Sequence, residues 1–470
     1  MKSGFPLIIV SLAMIAGLQS CVPDDEFSIS GSILFNGGSS APATVYLFKV
    51  SHPDAYQSII YGGAAYPYVG ASGPDDWYFD HRQQTAMSQK SVSGGSFEFN
   101  KVGKDQYYRV IAAGDEYGWI YSDIFKLTED ENIGTLTLYP ETELPPVIDQ
   151  DMTLESGHHY VVENIVQLHQ DFTMHIEPGV WVRFKNSTSK LQVLGNLQAN
   201  GDESGYIRFT YYDNSSSASN WSRLEFANDL DSLSAISYLA IDHASVGIAV
   251  NNCRISMDNV VVRHCGGTGI SISSIDYSEI ANCSIIDCST GIDCNNLMYV
   301  DRCYLADCNL TGISLSNQSA YIDNSVIVNC GTGIREDYSD IFEIDHCIIA
   351  GNDIGMWFEA GNLTRMSVHY CDLYDNSVEA VYCEFDAYPD LSYNNFYQNE
   401  YNVYLHGQVT GQNYHQSGDV TALNCYWGET TAEEIIGSFH DGNTFGADPQ
   451  LGLVLFDPFE TTVRPDTGPE

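Results

Sequence analysis

The chain changes its hydrophobic rhythm part-way along. Residues 28–140 alternate apolar and polar with a period of two. Ile29, Gly31, Ile33 and Phe35 open the pattern, Val45 and Leu47 continue it, then Phe97 and Phe99, Tyr107 to Ala113, and Ile133 to Leu138. Turn-forming clusters such as Gly37-Gly38-Ser39-Ser40-Ala41-Pro42 separate the runs. Period two bounded by turns predicts antiparallel strands packed as a β-sandwich. The alternation lapses between Ser51 and Lys90, a Tyr-, Gly- and Asp-rich insertion containing Asp75-Asp76-Trp77-Tyr78-Phe79-Asp80. It reads as a packed irregular insertion or a binding loop. Pro140, Pro145 and Pro146 remove donors and fix φ, so residues 141–147 predict a stiff linker.

From about Tyr238 the chain repeats every 20–24 residues. One column reads Leu239, Val260, Cys283, Cys303, Ser325, Cys347, Cys371, Asn394. Five residues on, a second reads Ala244, Cys265, Cys288, Cys308, Cys330, Asn352, Asn376, Asn399. A third, usually preceded by Gly, reads Ile248, Ile270, Ile292, Ile313, Ile334, Met356, Val381, Val403. Two positions later comes Val250, Ile272, Cys294, Leu315, Glu336, Phe358, Cys383, Leu405. A period of this length means a solenoid. The unit holds short strands and no 3.6-residue pattern, so it is one coil of a parallel β-helix. Columns two residues apart face inward together and stack ~4.8 Å apart on the next coil. Cys, Ser and Asn are small enough for the bends, and Asn can ladder its amide along the stack.

Ten cysteines lie in these inward columns, with Cys253 and Cys425 outside them. Their exchange with Asn, Ser and Ala points to small buried thiols. Cys283-x4-Cys288 and Cys303-x4-Cys308 recur too regularly for one metal centre, which needs a single convergent ligand set.

The coils resemble the right-handed parallel β-helix repeat of polysaccharide lyases, pectinases and many surface proteins. Residues 153–210 resemble the first rungs of secreted members. Asn424-Cys425-Tyr426-Trp427-Gly428, a short helix over Ala432–Phe439, and Phe456-Asp457-Pro458-Phe459 resemble their closing segment. The first domain resembles the carboxypeptidase-regulatory or transthyretin-like domain, which implies a spacer rather than a catalyst. The expected class is therefore all-β: an antiparallel β-sandwich over 28–140, then a right-handed parallel β-helix with a C-terminal cap over 148–459, and a tail over 460–470.

Charge narrows the partners. Against 62 Asp+Glu stand 19 Lys+Arg, a formal net charge of −43. Nucleic acid, which needs a basic face, is excluded as a partner, and polyanionic glycans are disfavoured. Lys2 precedes an apolar run from Phe5 to Leu18, too short to span a bilayer and suited to a signal peptide over 1–20. Leu18-Gln19-Ser20-Cys21 resembles a bacterial lipobox, which implies that Cys21 is lipidated. Asp24, Asp25 and Glu26, in a tether over 21–27, resemble the surface-export signal of some Gram-negative lipoproteins. The expected location is the outer membrane, facing the exterior.

The candidate chemistry lies on outward positions. One outward column reads Ala249, Ser271, Asp293, Ser314, Arg335, Trp357, Tyr382, Tyr404; the next reads Asn251, Ser273, Asn295, Ser316, Asp337, Glu359, Glu384, His406. Trp357, Tyr382 and Tyr404 thus form a row flanked by Glu359, Glu384 and His406. Such a row stacks on sugar rings, or it is an aromatic ladder that stabilises the sheet. The resemblance implies two kinds of enzyme: lyases with acidic Ca²⁺ ligands and a basic residue, and hydrolases with paired carboxylates. No residue set here matches either motif, so catalytic residues are not assigned. The expected role is a non-catalytic module that binds a polysaccharide or a surface protein, with a lyase or glycoside hydrolase as the alternative. Ca²⁺ enters only through Asp229 and Asp231, whose next alternate position, Leu233, offers no side-chain oxygen. Glu336, inward, is expected on a locally deformed coil. His243 and His264, beside Asp242 and Arg263, are expected on a solvated turn.

Overall fold

The computed structural model describes residues 26–37, 42–50, 58–61, 64–67, 84–114, 117–202, 205–213, 218–227, 234–273, 277–295, 297–316, 319–337, 341–359, 365–384, 387–406, 408–410, 413–415, 419–443 and 451–469. The leader, Cys21, Asp24, Asp25, the segment Asp75 to Asp80, Asp229 and Asp231 lie outside these residues.

The first domain is two sheets around one core. Glu26–Phe35 lies between Gly95–Gly103 and Glu131–Leu138; Ala43–Val50 lies between Ser88–Val92 and Tyr107–Gly114. Ile29, Ile33, Phe97 and Phe99 from one sheet meet Val45 and Val110 from the other. One pairing departs from the antiparallel expectation. Glu26–Phe35 runs parallel to Glu131–Leu138, with Ile33 opposite Leu136. A parallel pair needs a long crossover, and the whole intervening domain supplies it.

The rest is a parallel β-helix of about eleven turns. Among the described residues its walls hold twelve strands (first wall, Thr142–Glu143 to Asn395–Tyr397), thirteen (second wall, Val147–Ile148 to Phe439–His440) and ten (third wall, Met152–Leu154 to Arg365–His369). The strand register reproduces the sequence columns. Ile248 faces Ile270, which faces Ile292, Ile313, Ile334, Met356, Val381 and Val403 in turn. Glu336 is fully buried between Leu315 and Phe358, and Thr332–Asp337 keeps register with both neighbouring coils. The coil is not deformed there: continuous pairing on both sides holds the carboxyl inside.

Each coil bends at a left-handed residue directly before a small inward one. Asn282 (φ 52°), Arg302 (φ 48°) and Asn324 (φ 47°) precede Cys283, Cys303 and Ser325; Asp287 (φ 52°), Asp307 (φ 57°) and Asn329 (φ 57°) precede Cys288, Cys308 and Cys330. Asn and Asp tolerate this conformation best, which explains their recurrence. The bend aims the following side chain into the corner, where it accepts an amide proton from the coil before. Cys303 N donates to Ser325 Oγ (3.0 Å), Ser325 N to Cys347 Sγ (3.4 Å), Cys347 N to Cys371 Sγ (3.4 Å), Cys371 N to Asn394 Oδ1 (2.7 Å) and Asn394 N to Cys425 Sγ (3.4 Å). Cys425 therefore continues the first column instead of lying outside it. The sequence spacing hid this because a longer excursion precedes it. All twelve described cysteines are buried.

The ends of the solenoid also differ from expectation. Thr142–Glu143 pairs with the first wall and Val147–Ile148 with the second, so residues 141–147 form the leading edge of the solenoid, not a spacer. Two prolines are tolerated because an edge strand needs few donors. At the far end Trp427 stacks on Phe396 (4.6 Å between centroids) and Phe439 sits edge-on to Trp427 (4.9 Å). The helix is Ala432–Gly437, with Thr431 as its N-cap; Phe439–His440 returns to the second wall. Residues 460–469 fold back over the first wall. Arg464 N donates to Asn395 Oδ1 (2.9 Å), Thr467 Oγ1 to Asp372 Oδ1 (2.7 Å), and Gly468 N to the Tyr370 carbonyl (2.9 Å).

The third wall carries Asp301, Asp323 and Asp345 in register on its outer side. Burial, then Asp345 and Asp301, push the Asp323 carboxyl above its usual range. A carboxyl raised in the fold favours folding below its unfolded pKa, and that contribution fades as pH rises through the folded value. Asp323→Asn is therefore expected to stabilise the fold at pH 7 by ~0.5 kcal/mol after solvent screening, seen as a higher Tm. The gain should shrink towards pH 4. Thermal melts of both proteins across that range test it; an equal offset at both ends would rule out the titration.

Candidate functional site

The site is built on the outer face of the second wall. Along Thr311–Ser316, Thr332–Asp337 and Ile354–Glu359, inward and outward residues alternate in the same way on each coil. Because the coils are in register, Asp293, Ser314, Arg335, Trp357, Tyr382, Tyr404 and His440 form one unbroken outward line. Thr290, Thr311, Thr332 and Ile354 run beside it on one flank. Asp337 and Glu359 pair on the other flank, as do Glu384 and His406.

All six residues of the predicted row share this face, each half-buried. Their rings, however, meet one another. Tyr382 and Tyr404 stack at 5.6 Å with 20° between planes, and Tyr404 lies on His440 at 4.0 Å and 5°. Trp357 meets Tyr382 edge-on at 5.1 Å, and the Arg335 guanidinium lies 5.0 Å from the Trp357 ring centre. Side chains on adjacent coils stand one strand spacing apart, which suits ring-on-ring contact. The ladder thus consumes ring faces, and the Tyr404 face is not a platform for a sugar. Ring edges and polar groups remain outward. Tyr382 Oη lies 3.5 Å from Glu384 Oε1. Burial first, then Glu384, hold the Tyr382 hydroxyl protonated far above its usual range.

Sequence reasoning missed the groove that continues this line towards the N-terminus. It measures about 930 Å³. Asp293, Ser314, Arg335 and the Thr column form its floor; Leu310 and Val378, 62% and 40% exposed, stand among its walls. Arg335 organises the acidic end, with Nε 3.0 Å from Asp337 Oδ1 and Nη2 2.9 Å from Glu359 Oε2. Burial raises the Asp293 carboxyl, against an opposing hydrogen bond with Ser314. Glu359 is raised chiefly by its hydrogen bond with Asp337, then by burial, with Arg335 opposing. The floor therefore offers hydroxyls, a guanidinium, and carboxyls that take up protons more readily than usual. The outward column already aligned Asp293 and Arg335 with Trp357. The walls come from the bends, which that column does not contain.

Of the histidine pair only His243 departs from the expected solvated turn. It stacks on His264 at 5.4 Å and is buried, as are Asp242 and Arg263, 3.5 Å apart. His264 stays partly exposed, with Nδ1 2.6 Å from the exposed Asp287 carboxylate. Trp221 Nε1 donates to the Asp242 carbonyl (2.8 Å), which ties this corner into the core. Among the described residues, no group of three His, Cys, Asp or Glu side chains is placed to hold a metal ion.

A family described as right handed beta helix region matches residues 290–426, the stretch that holds the groove floor and the aromatic row. No curated protein and no solved structure matches the chain.

Proposed function

We propose that this protein is a lipid-anchored, cell-surface glycan-binding module, and that a neutral polysaccharide lies along the second-wall groove. The observation that carries the reading is the groove's composition. A hydroxyl- and carboxyl-lined floor matches sugar hydroxyls, and apolar walls at Leu310, Ile354 and Val378 suit the C–H faces of the rings. The groove continues into the row of Trp357, Tyr382 and Tyr404, whose stacked faces are taken but whose edges, with Glu359, Glu384 and His406 beside them, lengthen the polar surface available to a chain. Neutral sugar follows from charge: at −43 the molecule repels a polyanion. The lipobox-like Cys21 supports anchoring, and the sandwich serves as the spacer that carries the groove away from the membrane.

One observation favours catalysis as the second reading. Glu359 is a raised carboxyl that shares a hydrogen bond with Asp337 on the adjacent coil, and two neighbouring carboxyls, one of them held protonated, are the requirement for glycoside hydrolysis.

Electrophoresis of the protein through gels that each contain one neutral polysaccharide, stained afterwards for degraded glycan, separates these readings. Retardation without clearing is expected, and Asp293→Asn together with Tyr382→Ala should weaken it at least about tenfold, or ~1.4 kcal/mol. Clearing that Glu359→Gln abolishes while retardation persists would make the protein a hydrolase. Unchanged retardation in both groove variants would remove the groove as the site.

A further inference from the structure

Where the C-terminal cap meets the last coil, a cavity of about 650 Å³ opens at the bend between Asn395–Tyr397 and Tyr401–His406. It lies one coil beyond Val378 of the second-wall groove, since Tyr401 N donates to the Val378 carbonyl (3.0 Å). The two cavities share no lining residue. Tyr397, Tyr426 and Trp427 give this one an aromatic lining, and Glu400, Glu429 and Glu434 bring carboxylates to it. No Lys, Arg or His lines it. Among the described residues no salt bridge answers these glutamates, whereas Arg335 answers Asp337 and Glu359 in the groove.

Neutral polar groups of the lining are already engaged. Asn399 Nδ2 donates to Asn402 Oδ1 (3.0 Å), Asn402 Nδ2 to Ser438 Oγ (2.9 Å), and Ser438 Oγ to the Ile435 carbonyl (2.8 Å). This relay ties the cap to the coil and holds the cavity in shape. Glu434 Oε2 accepts from Thr431 Oγ1 (2.6 Å), which fixes one carboxylate; Glu400 and Glu429 are exposed. The charge of Glu400 is felt on the neighbouring strand. Glu379 is buried there, and its carboxyl is raised by burial first and then by Glu400. Trp427 is 1% exposed, and its Nε1 has no hydrogen-bond partner among the described residues. A buried donor of this kind calls for an acceptor. The lining therefore suits a cation that also brings a neutral oxygen.

We infer that the cavity under the cap is a second ligand site, for a small organic cation that carries a primary ammonium group beside a hydroxyl. The ammonium donates to Glu400, Glu429 and Glu434, which accept charge-assisted hydrogen bonds. The hydroxyl oxygen accepts from Trp427 Nε1, and the carbon skeleton packs against Tyr426. The volume suits one ring with its substituents and excludes a polysaccharide. The site is separate from the second-wall groove and does not depend on what the groove binds. Its walls come from both the last coil and the cap, so an occupant would also hold the cap in place.

Calorimetric titration of the full chain in detergent tests this, at constant ionic strength and in mildly acidic buffer that keeps the amines charged. Glucosamine and ethanolamine are the probes; N-acetylglucosamine, which lacks the charge, and potassium chloride are the controls. One-site saturation by at least one amine is expected, with no such signal from either control. Saturation by glucosamine alone assigns an amino sugar, and by ethanolamine alone an amino alcohol. Glu400→Gln combined with Glu429→Gln should weaken binding at least about tenfold, because each loses a charge-assisted bond. If that variant melts early, Glu400→Gln alone carries the test. Glu98→Gln combined with Glu129→Gln, on the exposed surface of the sandwich, removes the same charge and should leave the titration unchanged. Absence of saturation by both amines, an equal response to a control, undiminished binding by the cap variants, or equal weakening by the sandwich variant would overturn the inference.

Discussion

Asn376→Leu is expected to destabilise the solenoid by about 4 kcal/mol. Asn376 is fully buried and its amide works in both directions. Oδ1 accepts from Asn352 N and Asn352 Nδ2, each at 3.2 Å. Nδ2 donates to the Ile349 carbonyl (3.1 Å) and to Asn399 Oδ1 (3.0 Å). Leucine is close in size, so the loss is not a cavity. It is the stranding of a backbone amide, a side-chain amide and a carbonyl in a corner that water does not reach, at about 1–3 kcal/mol for each group left unsatisfied. New apolar burial offsets only part of this. Asn352 and Asn399 extend the same ladder, so the damage spreads to both neighbouring coils. Urea unfolding followed by far-ultraviolet circular dichroism measures it. A shift under 1 kcal/mol would mean that the ladder is a consequence of the stacking and not one of its causes.

Gly312→Ala should have the next largest effect, about 3 kcal/mol of destabilisation. The reason is room, not backbone freedom. A Cβ at Gly312 would lie 2.6 Å from the Gly333 carbonyl oxygen and 2.7 Å from Ile327 Cγ2. The Gly333 oxygen belongs to the next coil and is held by the strand ladder, so it cannot move aside without opening the pairing between Thr311–Ser316 and Thr332–Asp337. The same obstruction recurs at Gly291, where the Gly312 oxygen would stand 2.4 Å away, and at Gly333, where the Gly355 oxygen would stand 2.5 Å away. Thermal melts decide the matter. An alanine variant that melts with the parent would show that the coils can part locally by the width of a methyl group.

Both predictions come from columns that the sequence displays. Glycine before the third column, asparagine at the end of the second, and alternating apolar positions between them are visible without coordinates. The aromatic row was equally legible: Trp357, Tyr382 and Tyr404 align because each lies one period from the next. Its geometry was not. Whether a ring shows its face or its edge depends on side-chain rotation, and Tyr404 turns its face to His440, a residue from the cap that no repeat announces. Cys425 escaped its column for a related reason, since the coil that carries it is longer than the others.

The sequence by itself determined the all-β class, the axial stacking and the inward and outward sets. These follow from a fixed period: in a solenoid the axial neighbour of any residue lies one coil away, so a local repeat settles a long-range contact. The tertiary structure decided everything lateral. The walls of the groove come from bends whose direction is set by left-handed residues, and the Asp337–Arg335–Glu359 arrangement depends on how three side chains share one surface. The parallel strand pair in the sandwich, the leading edge made from residues 141–147 and the cavity under the cap join parts of the chain with no common period. No repeat encodes such contacts; they form only when segments distant in the chain fold together and bury their facing surfaces.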